Sequence, residues 1–247
     1  MPSPEFSLVI PFYNEEANCK EVINRLVEVL EQYCIVDYEL VPVNNGSVDQ
    51  TGVILARCAA SNPCIKIVTV EENQGYGWGI LSGLSQSTGT FVGYVDGDLQ
   101  ISPEDIIRVF THIKEHGGDI CKGARTDRGD GFKRRVISTV YNIIFKVLFQ
   151  CSVRDINAKP KIMKHSSYTR LDLQSKDWFI DAELIIKADG LGMHIKEVPI
   201  DFKAREEGKS NVSLGSILEF FKNLLIYRLT ARKHHQNVSQ IQTTHRS

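Results

Sequence analysis

The sequence lacks long apolar runs, paired cysteines and an excess of charge of one sign. No apolar stretch reaches the roughly 18–20 residues of a membrane-spanning helix, so we expect no span. The six cysteines form no C-x-x-C pair and no histidine cluster has metal-ligand spacing, which favours reduced, buried thiols in a cytoplasm. A formal net charge of −1 provides no global field for nucleic acid, and the N-terminus has no basic signal-peptide region.

The composition is that of a folded protein with a sizeable core. Its 247 residues, 42% hydrophobic and 24% charged, suffice for one large α/β domain or two small domains. Short apolar runs alternate with amphipathic helical patterns, which predicts a mostly parallel sheet with helices on both faces. The predicted strands are Phe6–Phe12, Tyr38–Val43, Ile65–Val70 and Phe91–Val95, with Pro42 a poor residue for a sheet interior.

Polar residues with capping chemistry mark the predicted helix starts. Asn14 with two following acids, the capping-box pattern Ser47–Gln50, and Ser102 before Pro103 each predict a helix N-terminus. The second half predicts a polar glycine-rich loop, an apolar helix, a further helix and a strand, at Gly123–Lys133, Val136–Phe149, Trp178–Asp189 and Ile195–Phe202.

Asp96-Gly97-Asp98 is the strongest chemical signal in the sequence. Two carboxylates one residue apart at the end of a buried strand repel each other and are costly to desolvate. A divalent cation such as Mg²⁺ or Mn²⁺ resolves both costs and can bind a substrate diphosphate. The alternative interpretation is that the aspartates are turn residues that cap the next helix.

Further polar residues follow the other predicted strands, at the edge where α/β sheets bind ligands. Tyr13 can stack on a base, and Glu15 can accept a hydrogen bond from a base or ribose or can interact with a helix dipole. Asn45 can bond a base or ribose without adding charge. The glycines of the Gly75–Gly79 turn do not match the dinucleotide fingerprint, and we expect them to allow close backbone approach near a sugar cleft.

Three motifs carry a family resemblance: Pro11-Phe12-Tyr13-Asn14-Glu15, Asn45–Thr51, and Asp96–Gln100 with Pro103-Glu104. Together they resemble the family 2 glycosyltransferases of GT-A fold, and within that family the dolichol- and polyprenol-phosphate sugar (mannose) synthases. The resemblance covers roughly residues 6–212 and extends to the sites Gly123-Ala124-Arg125, Arg135 with Ser138, Asp155 and Arg205–Ser210. Asn44-Asn45 departs from it, because the family commonly has two acids there.

The resemblance implies an inverting, metal-dependent hexosyltransferase that moves a sugar from a GDP- or UDP-sugar to a polyprenyl or dolichyl phosphate. It implies Asp96 and Asp98 as ligands of Mg²⁺ or Mn²⁺, and Asp98, Arg125, Arg205 and Asp181 as catalytic residues. Asp181 would act as a general base only for a sugar-hydroxyl acceptor. The implied nucleotide-sugar contacts are Pro11, Tyr13, Glu15, Val43, Asn45, Asp96, Gly97, Gln100, Arg135, Ser138 and Lys209.

The same resemblance sets expectations for organisation and location. We expect a glycosyltransferase domain at 1–212, an amphipathic, membrane-interfacial helix at 213–230 and a disordered tail at 231–247. The protein would lie peripherally at the cytoplasmic face of a membrane, bind no nucleic acid, and could form a homo-oligomer. Three alternatives remain at this point: a family 2 transferase that uses a saccharide hydroxyl in cell-surface polysaccharide synthesis, a sugar nucleotidyltransferase, and a non-catalytic membrane-associated nucleotide-binding module.

Overall fold

The computed structural model describes residues 3–98, 100–128, 142–149 and 153–202, which form a mixed α/β structure. In chain order its elements are β1 (Phe6–Phe12), α1 (Cys19–Gln32), β2 (Tyr38–Asn45), α2 (Thr51–Ser61), β3 (Val68–Val70), α3 (Tyr76–Leu84), β4 (Phe91–Tyr94), α4 (Pro103–His116), β5 (Ile120–Arg128), α5 (142–149), β6 (Lys161–Lys164), α6 (His165–Leu171), α7 (Ile180–Gly190) and β7 (Ile195–Phe202).

The described strands form one sheet with the order β3-β2-β1-β4-β6-β5-β7. Strands β1 to β4 are parallel, β6 is antiparallel to both of its neighbours, and β5 pairs with β7 in parallel. The predicted mostly parallel sheet is confirmed. Because β6 runs in the opposite direction, its first residues lie at the edge where β1, β2, β4 and β5 end.

The central strand β1 is buried on both faces and contributes to two hydrophobic cores. Leu8, Ile10 and Phe12 pack into the core that includes residues of α1, α2 and α4. Val9 packs with Val41 into the core that includes residues of α3 and α7. This arrangement explains the almost continuous apolar sequence of β1, because alternate side chains of a strand point to opposite faces.

Strand β3 is shorter than predicted, and Pro42 in β2 accounts for the difference. The N–H of Leu40 donates to the Cys64 carbonyl at 2.8 Å, and the Lys66 N–H donates to the Leu40 carbonyl at 2.8 Å. Pro42 lies two residues further along the same side of β2 but has no N–H to continue this ladder. Regular pairing therefore resumes only at Val68.

Two of the predicted helix starts are wrong. Helix α1 begins at Cys19 instead of Asn14, and α2 begins at Thr51, after the predicted capping box. Neither helix has a side-chain cap hydrogen bond. The capping-type side chains of Asn14 and Ser47 are used instead in contacts between two loops.

The second half differs more from prediction. The loop predicted at Gly123–Lys133 is wrong for its first six residues, which belong to β5, and strand β6 and helix α6 were not predicted. Strand β7 is confirmed, α5 coincides with the end of the predicted Val136–Phe149 helix, and α7 begins at Ile180 instead of Trp178. The interfacial helix predicted at 213–230 and the tail lie outside the described residues. Among the helices within the described ranges, none combines the length and apolarity needed to span a membrane.

Candidate active site

The candidate site lies at the carboxyl ends of the parallel strands, where the order of the sheet reverses. Strand β1 lies between β2 and β4, so the chain progresses to one side through β2 and β3 and then crosses to the other side at β4. Such a switch point opens a crevice beyond the strand ends, and it is where α/β sheets bind ligands. Tyr13 and Asp96 follow strands that end there, and Asn45 is the last residue of such a strand.

The loops after β1 and β2 are joined by reciprocal hydrogen bonds. The Asn14 N–H donates to the Ser47 hydroxyl at 3.1 Å, and the Asn14 side-chain oxygen accepts from the Val48 N–H at 2.9 Å. The Glu16 N–H donates to the Asp49 carboxylate at 3.2 Å. Asn14 adopts a left-handed backbone with φ of 54°, a conformation that asparagine tolerates better than most residues. The two loops therefore form one connected wall of the site.

Glu15 contributes to the same wall. Its N–H donates to the Thr51 hydroxyl at 2.9 Å, and its carboxylate accepts from the Asn18 amide at 3.0 Å. Glu15 lies just ahead of the first turn of α1, and its interaction with the dipole of that helix stays an open alternative. Tyr13 is 42% exposed, which leaves its ring accessible, and Pro11 is half-buried. The nucleotide contacts of these residues stay predictions.

Asn45 fixes the end of β2 against the turn before α3. Its side chain is 3% exposed, and its amide nitrogen donates to the Gly75 carbonyl at 3.1 Å. Its side-chain oxygen is buried without a hydrogen-bond partner within the described residues. The Val43 side chain is fully buried in the core, where a Cβ at Gly83 would lie 2.9 Å from it, and its predicted nucleotide contact stays a prediction.

The glycine-rich turn packs against the chain itself. A Cβ at Gly75, which has φ of +116°, would lie 2.4 Å from the Lys176 carbonyl oxygen. A Cβ at Gly77 would lie 2.3 Å from the Ser175 carbonyl oxygen, and the Trp78 N–H donates to Lys176 at 2.9 Å. The close backbone approach predicted here is therefore observed, but its partner is the segment that precedes α7.

Gly97 holds the two aspartates of the Asp-Gly-Asp motif against the core. A Cβ on Gly97 would lie 2.5 Å from the Phe12 ring, so only glycine allows this approach. The Asp98 carboxylate accepts from the Gln100 N–H at 3.2 Å. The alternative that the motif caps α4 is wrong, because the Ser102 hydroxyl occupies the cap position, as predicted from the sequence.

The Asp96 carboxylate is held from two sides. One oxygen accepts from the Tyr76 hydroxyl at 2.5 Å, and the other lies 3.1 Å from the Lys159 ammonium. The same ammonium lies 3.2 Å from the Asp181 carboxylate and 4.7 Å from the centre of the Tyr76 ring. The ring of Tyr76 also stacks on Trp178, with 4.3 Å between ring centres. Lys159 is 7% exposed, whereas the Asp96 side chain is 30% exposed and remains reachable from solvent.

Asp181 lies in the interior of this cluster. Its carboxylate accepts from the Tyr94 hydroxyl at 2.8 Å and from the Lys161 ammonium. Burial alone would raise the pKa of Asp181, but the ammonium groups of Lys159 and Lys161 hold this pKa below its usual value. A buried carboxylate of lowered pKa is a poor proton acceptor, so the predicted role of general base does not fit this environment.

The two lysines respond to burial in opposite ways. Burial lowers the pKa of Lys161 to about 8, in spite of the attraction of Asp181. Burial would also lower the pKa of Lys159, but the carboxylates of Asp181 and Asp96 more than compensate and raise it. Lys159 is therefore a permanently charged ammonium beside the Asp-Gly-Asp motif.

Glycines on both neighbouring strands bring β6 close to the site. A Cβ at Gly93 would lie 2.7 Å from the Lys161 carbonyl oxygen, and one at Gly123 would lie 2.4 Å from the Lys159 carbonyl oxygen. The sequence analysis missed Lys159, because a Lys-Pro-Lys segment is typical of an exposed turn. Lys159 and Lys161 are separated by one residue, as Asp96 and Asp98 are. This spacing is the only signal in the sequence that could have pointed to Lys159.

Arg125 forms a paired contact of its own. Its Nε and Nη2 atoms lie 2.7 and 2.8 Å from the two carboxylate oxygens of Asp155, and its guanidinium lies 5.0 Å from the centre of the Phe202 ring. This bidentate pair orients Arg125. Its predicted catalytic role stays a prediction. Four further predicted site residues, Arg135, Ser138, Arg205 and Lys209, lie outside the described residues.

Comparison with known proteins identifies the family. The profile of "Glycosyl transferase family 2" matches residues 7–171. The chain is 27% identical over 227 residues to proteins named undecaprenyl-phosphate 4-deoxy-4-formamido-L-arabinose transferase from Yersinia pestis (strain Pestoides F) and Yersinia pseudotuberculosis serotype O:3 (strain YPIII). Each match covers 91% of this chain and 67% of the relative.

Solved structures of glucosyl-3-phosphoglycerate synthase from Mycobacterium tuberculosis share the fold. The complex with Mn²⁺, UDP and glucosyl-3-phosphoglycerate aligns with a TM-score of 0.71 at 20% identity, over 91% of this chain and 80% of that chain. The complex with Mn²⁺, UDP-glucose and phosphoglyceric acid aligns with a TM-score of 0.70 at 19% identity, over 91% and 79%. Because the family profile also spans more than half of the sequence, this protein belongs to glycosyl transferase family 2 and is a glycosyltransferase of GT-A fold.

Proposed function

We propose that this glycosyltransferase moves a sugar from a nucleoside-diphosphate sugar to a polyprenyl or dolichyl phosphate. The observation that carries the proposal is the pair of aspartates at the switch point, Asp96 and Asp98, with Gly97 packed on Phe12 between them. The acceptor class is supported by the relatives, whose names specify undecaprenyl phosphate. The base and the sugar of the donor stay open between GDP- and UDP-linked hexoses.

The aspartates fit a divalent cation, Mg²⁺ or Mn²⁺. The described residues contain no group of three or more acidic, histidine or cysteine side chains that could hold a metal. Two carboxylates suit a cation that takes its remaining ligands from water and substrate phosphate, as Mg²⁺ does. When bound, it would neutralise charge on the departing nucleoside diphosphate. The Mycobacterium tuberculosis glucosyl-3-phosphoglycerate synthase was crystallised with Mn²⁺ and UDP together.

The surrounding residues would position the donor. Tyr76 and Lys159 hold the Asp96 carboxylate, and in this proposal the exposed ring of Tyr13 would stack on a base. In this proposal Arg205 and Lys209 bind the donor diphosphate, and Arg125 with Arg135 binds the acceptor phosphate, because guanidinium groups suit phosphate oxygens.

The environment of Asp181 favours a phosphate acceptor over a saccharide hydroxyl. A hydroxyl must lose its proton during attack, which calls for a general base, whereas a phosphate is already ionised. Asp181 is saturated by two ammonium groups and a tyrosine hydroxyl, so it does not supply that base. A single displacement by an ionised phosphate would invert the configuration of the transferred sugar.

The surface of α5 supports contact with a membrane. Ile143 is 55% exposed and Val147 is 73% exposed, and their spacing of four residues places both on one face of the helix. An exposed apolar helix face suits a lipid interface. We therefore propose that the protein works peripherally at the cytoplasmic face of a membrane, where its acceptor lipid resides.

A thermal-shift screen tests the donor site. Nucleotide sugars with uracil or guanine bases are each added with and without Mn²⁺, and the variant Asp98→Ala serves as the control. We expect one base to stabilise the wild-type protein only with Mn²⁺, and the variant to lose that shift. Equal stabilisation of both proteins, or none with any nucleotide sugar, would contradict the assignment of the metal site.

An acceptor comparison tests the second half of the proposal. In detergent, the donor selected by the screen is offered with a polyprenyl phosphate, a dolichyl phosphate or an oligosaccharide. We expect transfer to a lipid phosphate. Transfer only to the oligosaccharide would show that the protein is a polysaccharide-type family 2 enzyme, and binding without any transfer would indicate a non-catalytic module.

A further inference from the structure

We propose that Lys159 is a built-in counter-ion of Asp96, so that the divalent cation binds tightly only together with the nucleoside diphosphate. The inference rests on the proposed function, because it concerns the cation of the same site. It assigns a role to Lys159, which the sequence did not single out, and it predicts that metal and nucleoside diphosphate strengthen each other's binding.

The contacts of Asp96 carry the first step. Its two carboxylate oxygens are already engaged, one by the Tyr76 hydroxyl at 2.5 Å and one by the Lys159 ammonium at 3.1 Å. A cation that approaches Asp96 must therefore compete with a positive charge already bound to it. Asp98 carries the other carboxylate of the motif and does not share this lysine in the ion pairs of the described residues.

The charge balance of the cluster carries the second step. Lys159 and Lys161 contribute two positive charges, and Asp96 and Asp181 contribute two negative charges, so the four residues together are neutral. Asp98 then supplies the second carboxylate of the motif to a divalent ion. A nucleoside diphosphate adds the further negative charge and the oxygen ligands that such a cation requires.

The fixed position of Lys159 carries the third step. Its carbonyl oxygen is enclosed by the close approach of Gly123, and its ammonium is shared with the buried carboxylate of Asp181 at 3.2 Å. Lys159 therefore cannot swing away from the site as a surface lysine can. When the Asp96 carboxylate binds the cation, the Lys159 ammonium stays paired with Asp181. Lys159 therefore remains in position to pair with Asp96 again after the cation leaves.

Coupling between the two ligands follows from this arrangement. If the nucleoside diphosphate raises the affinity for the cation, the cation must raise the affinity for the nucleotide by the same factor. Lys159 acts here as a positioning residue, through Asp96. Removal of its charge should strengthen cation binding in the absence of nucleotide, which is the opposite of what damage to the site would cause.

Binding of Mn²⁺, measured by electron paramagnetic resonance of the free ion, tests the inference without any turnover. In the wild-type protein we expect Mn²⁺ to bind at least about tenfold more weakly alone than with UDP or GDP, tested in separate arms. Lys159→Met should raise the affinity for Mn²⁺ alone by about 5- to 150-fold, and Lys159→Arg should retain the wild-type value.

Lys66→Met is the matched control. It removes the same charge from an ion pair with the buried carboxylate of Glu39. Glu39 lies at the start of β2, whereas the candidate site lies beyond the end of that strand. We expect the affinity for Mn²⁺ to be unchanged in this variant. If the affinity for Mn²⁺ rises equally in Lys66→Met and Lys159→Met, the effect comes from the net charge of the protein alone, and the inference is overturned.

The outcomes separate the inference from the proposed function. If neither nucleotide brings Mn²⁺ to the wild-type protein, the proposed function fails. If a nucleotide does so but folded Lys159→Met binds Mn²⁺ alone no better than wild type, only the counter-ion inference fails. Should circular dichroism show that Lys159→Met is unfolded, Lys159→Gln, which can still donate to both carboxylates, is judged by the same criterion. Equally tight binding by the wild type with and without nucleotide overturns the inference on its own.

Discussion

Gly97→Ala is the substitution that most directly tests the link between packing and catalysis. The added Cβ would lie 2.5 and 2.7 Å from two carbons of the Phe12 ring, whereas ordinary contact begins at 3.4 Å. One partner must therefore move by about 0.9 Å, the difference between 3.4 and 2.5 Å. Phe12 is 1% exposed in the core, while Asp96 and Asp98 lie on a partly exposed loop, so we expect the loop to move.

The size of the effect follows from that displacement. Misplacement of catalytic groups by about 1 Å costs on the order of 100-fold in rate, so turnover should fall by about this factor. Any part of the strain that the core absorbs should cost about 1–3 kcal/mol of unfolding free energy. For a domain of this size, each kcal/mol lowers Tm by roughly 2–4 °C, so we expect a larger loss of activity than of stability.

Turnover of the donor and thermal unfolding are measured on the same preparations. Gly190→Ala is the control, because a Cβ there meets nothing within 4 Å and its activity should stay at the wild-type level. Adding Phe12→Leu to Gly97→Ala makes room for the methyl group and should restore part of the lost turnover relative to Phe12→Leu alone. Wild-type turnover and Tm in Gly97→Ala would refute the assignment of Gly97 as the spacer of the motif.

Three further predictions concern single residues. Asp98→Ala should abolish transfer while Tm stays within about 2–4 °C of wild type, a shift worth about 1 kcal/mol; wild-type-like turnover would remove the metal assignment. Asn45→Asp loses its donor to the Gly75 carbonyl and should lower the unfolding free energy by about 1–3 kcal/mol in urea; an unchanged midpoint would count against this hydrogen bond. Iodoacetamide at about pH 8 should label exposed Cys34 in the native protein but not Cys121, because burial raises the pKa of Cys121 to about 12; peptide mapping that finds equal labelling would contradict the buried position.

The first half of the fold could be predicted because its signals are local. The apolar run of β1, the strand that precedes Asp96 and the start of α4 at Ser102 each depend on residues close together in sequence. The helix starts predicted from Asn14 and Ser47 are wrong because the Asn14 side chain accepts from Val48 and the Ser47 side chain accepts from Asn14, so each bonds the other loop instead of its own helix. Local sequence cannot distinguish these two uses of the same polar group.

The positions of Lys159 and Lys161 in the site could not be predicted for a related reason. A strand that begins Lys-Ile-Met-Lys does not show the alternation of a half-buried strand, and buried lysines are rare without partners. The partner that allows Lys161 to be fully buried is Asp181, 20 residues further along the chain and on a helix. Likewise, the first residues of the loop predicted at Gly123 form a strand because they pair with the distant strand β7, where Gly123 lies opposite Val198.

The reversed direction of β6 has a consequence for how such an enzyme can diversify. Strand β5 leaves the sheet at the same edge where β6 enters it, and Lys159 at that entrance contacts Asp96. Both ends of the intervening stretch of chain therefore lie at the edge of the sheet where β4 ends and the Asp-Gly-Asp motif follows. Changes of sequence or length within that stretch leave β1, β2 and β4 intact. Under the proposed function, a lineage could in this way change its acceptor without rebuilding the strands whose ends carry the residues proposed to bind the activated sugar.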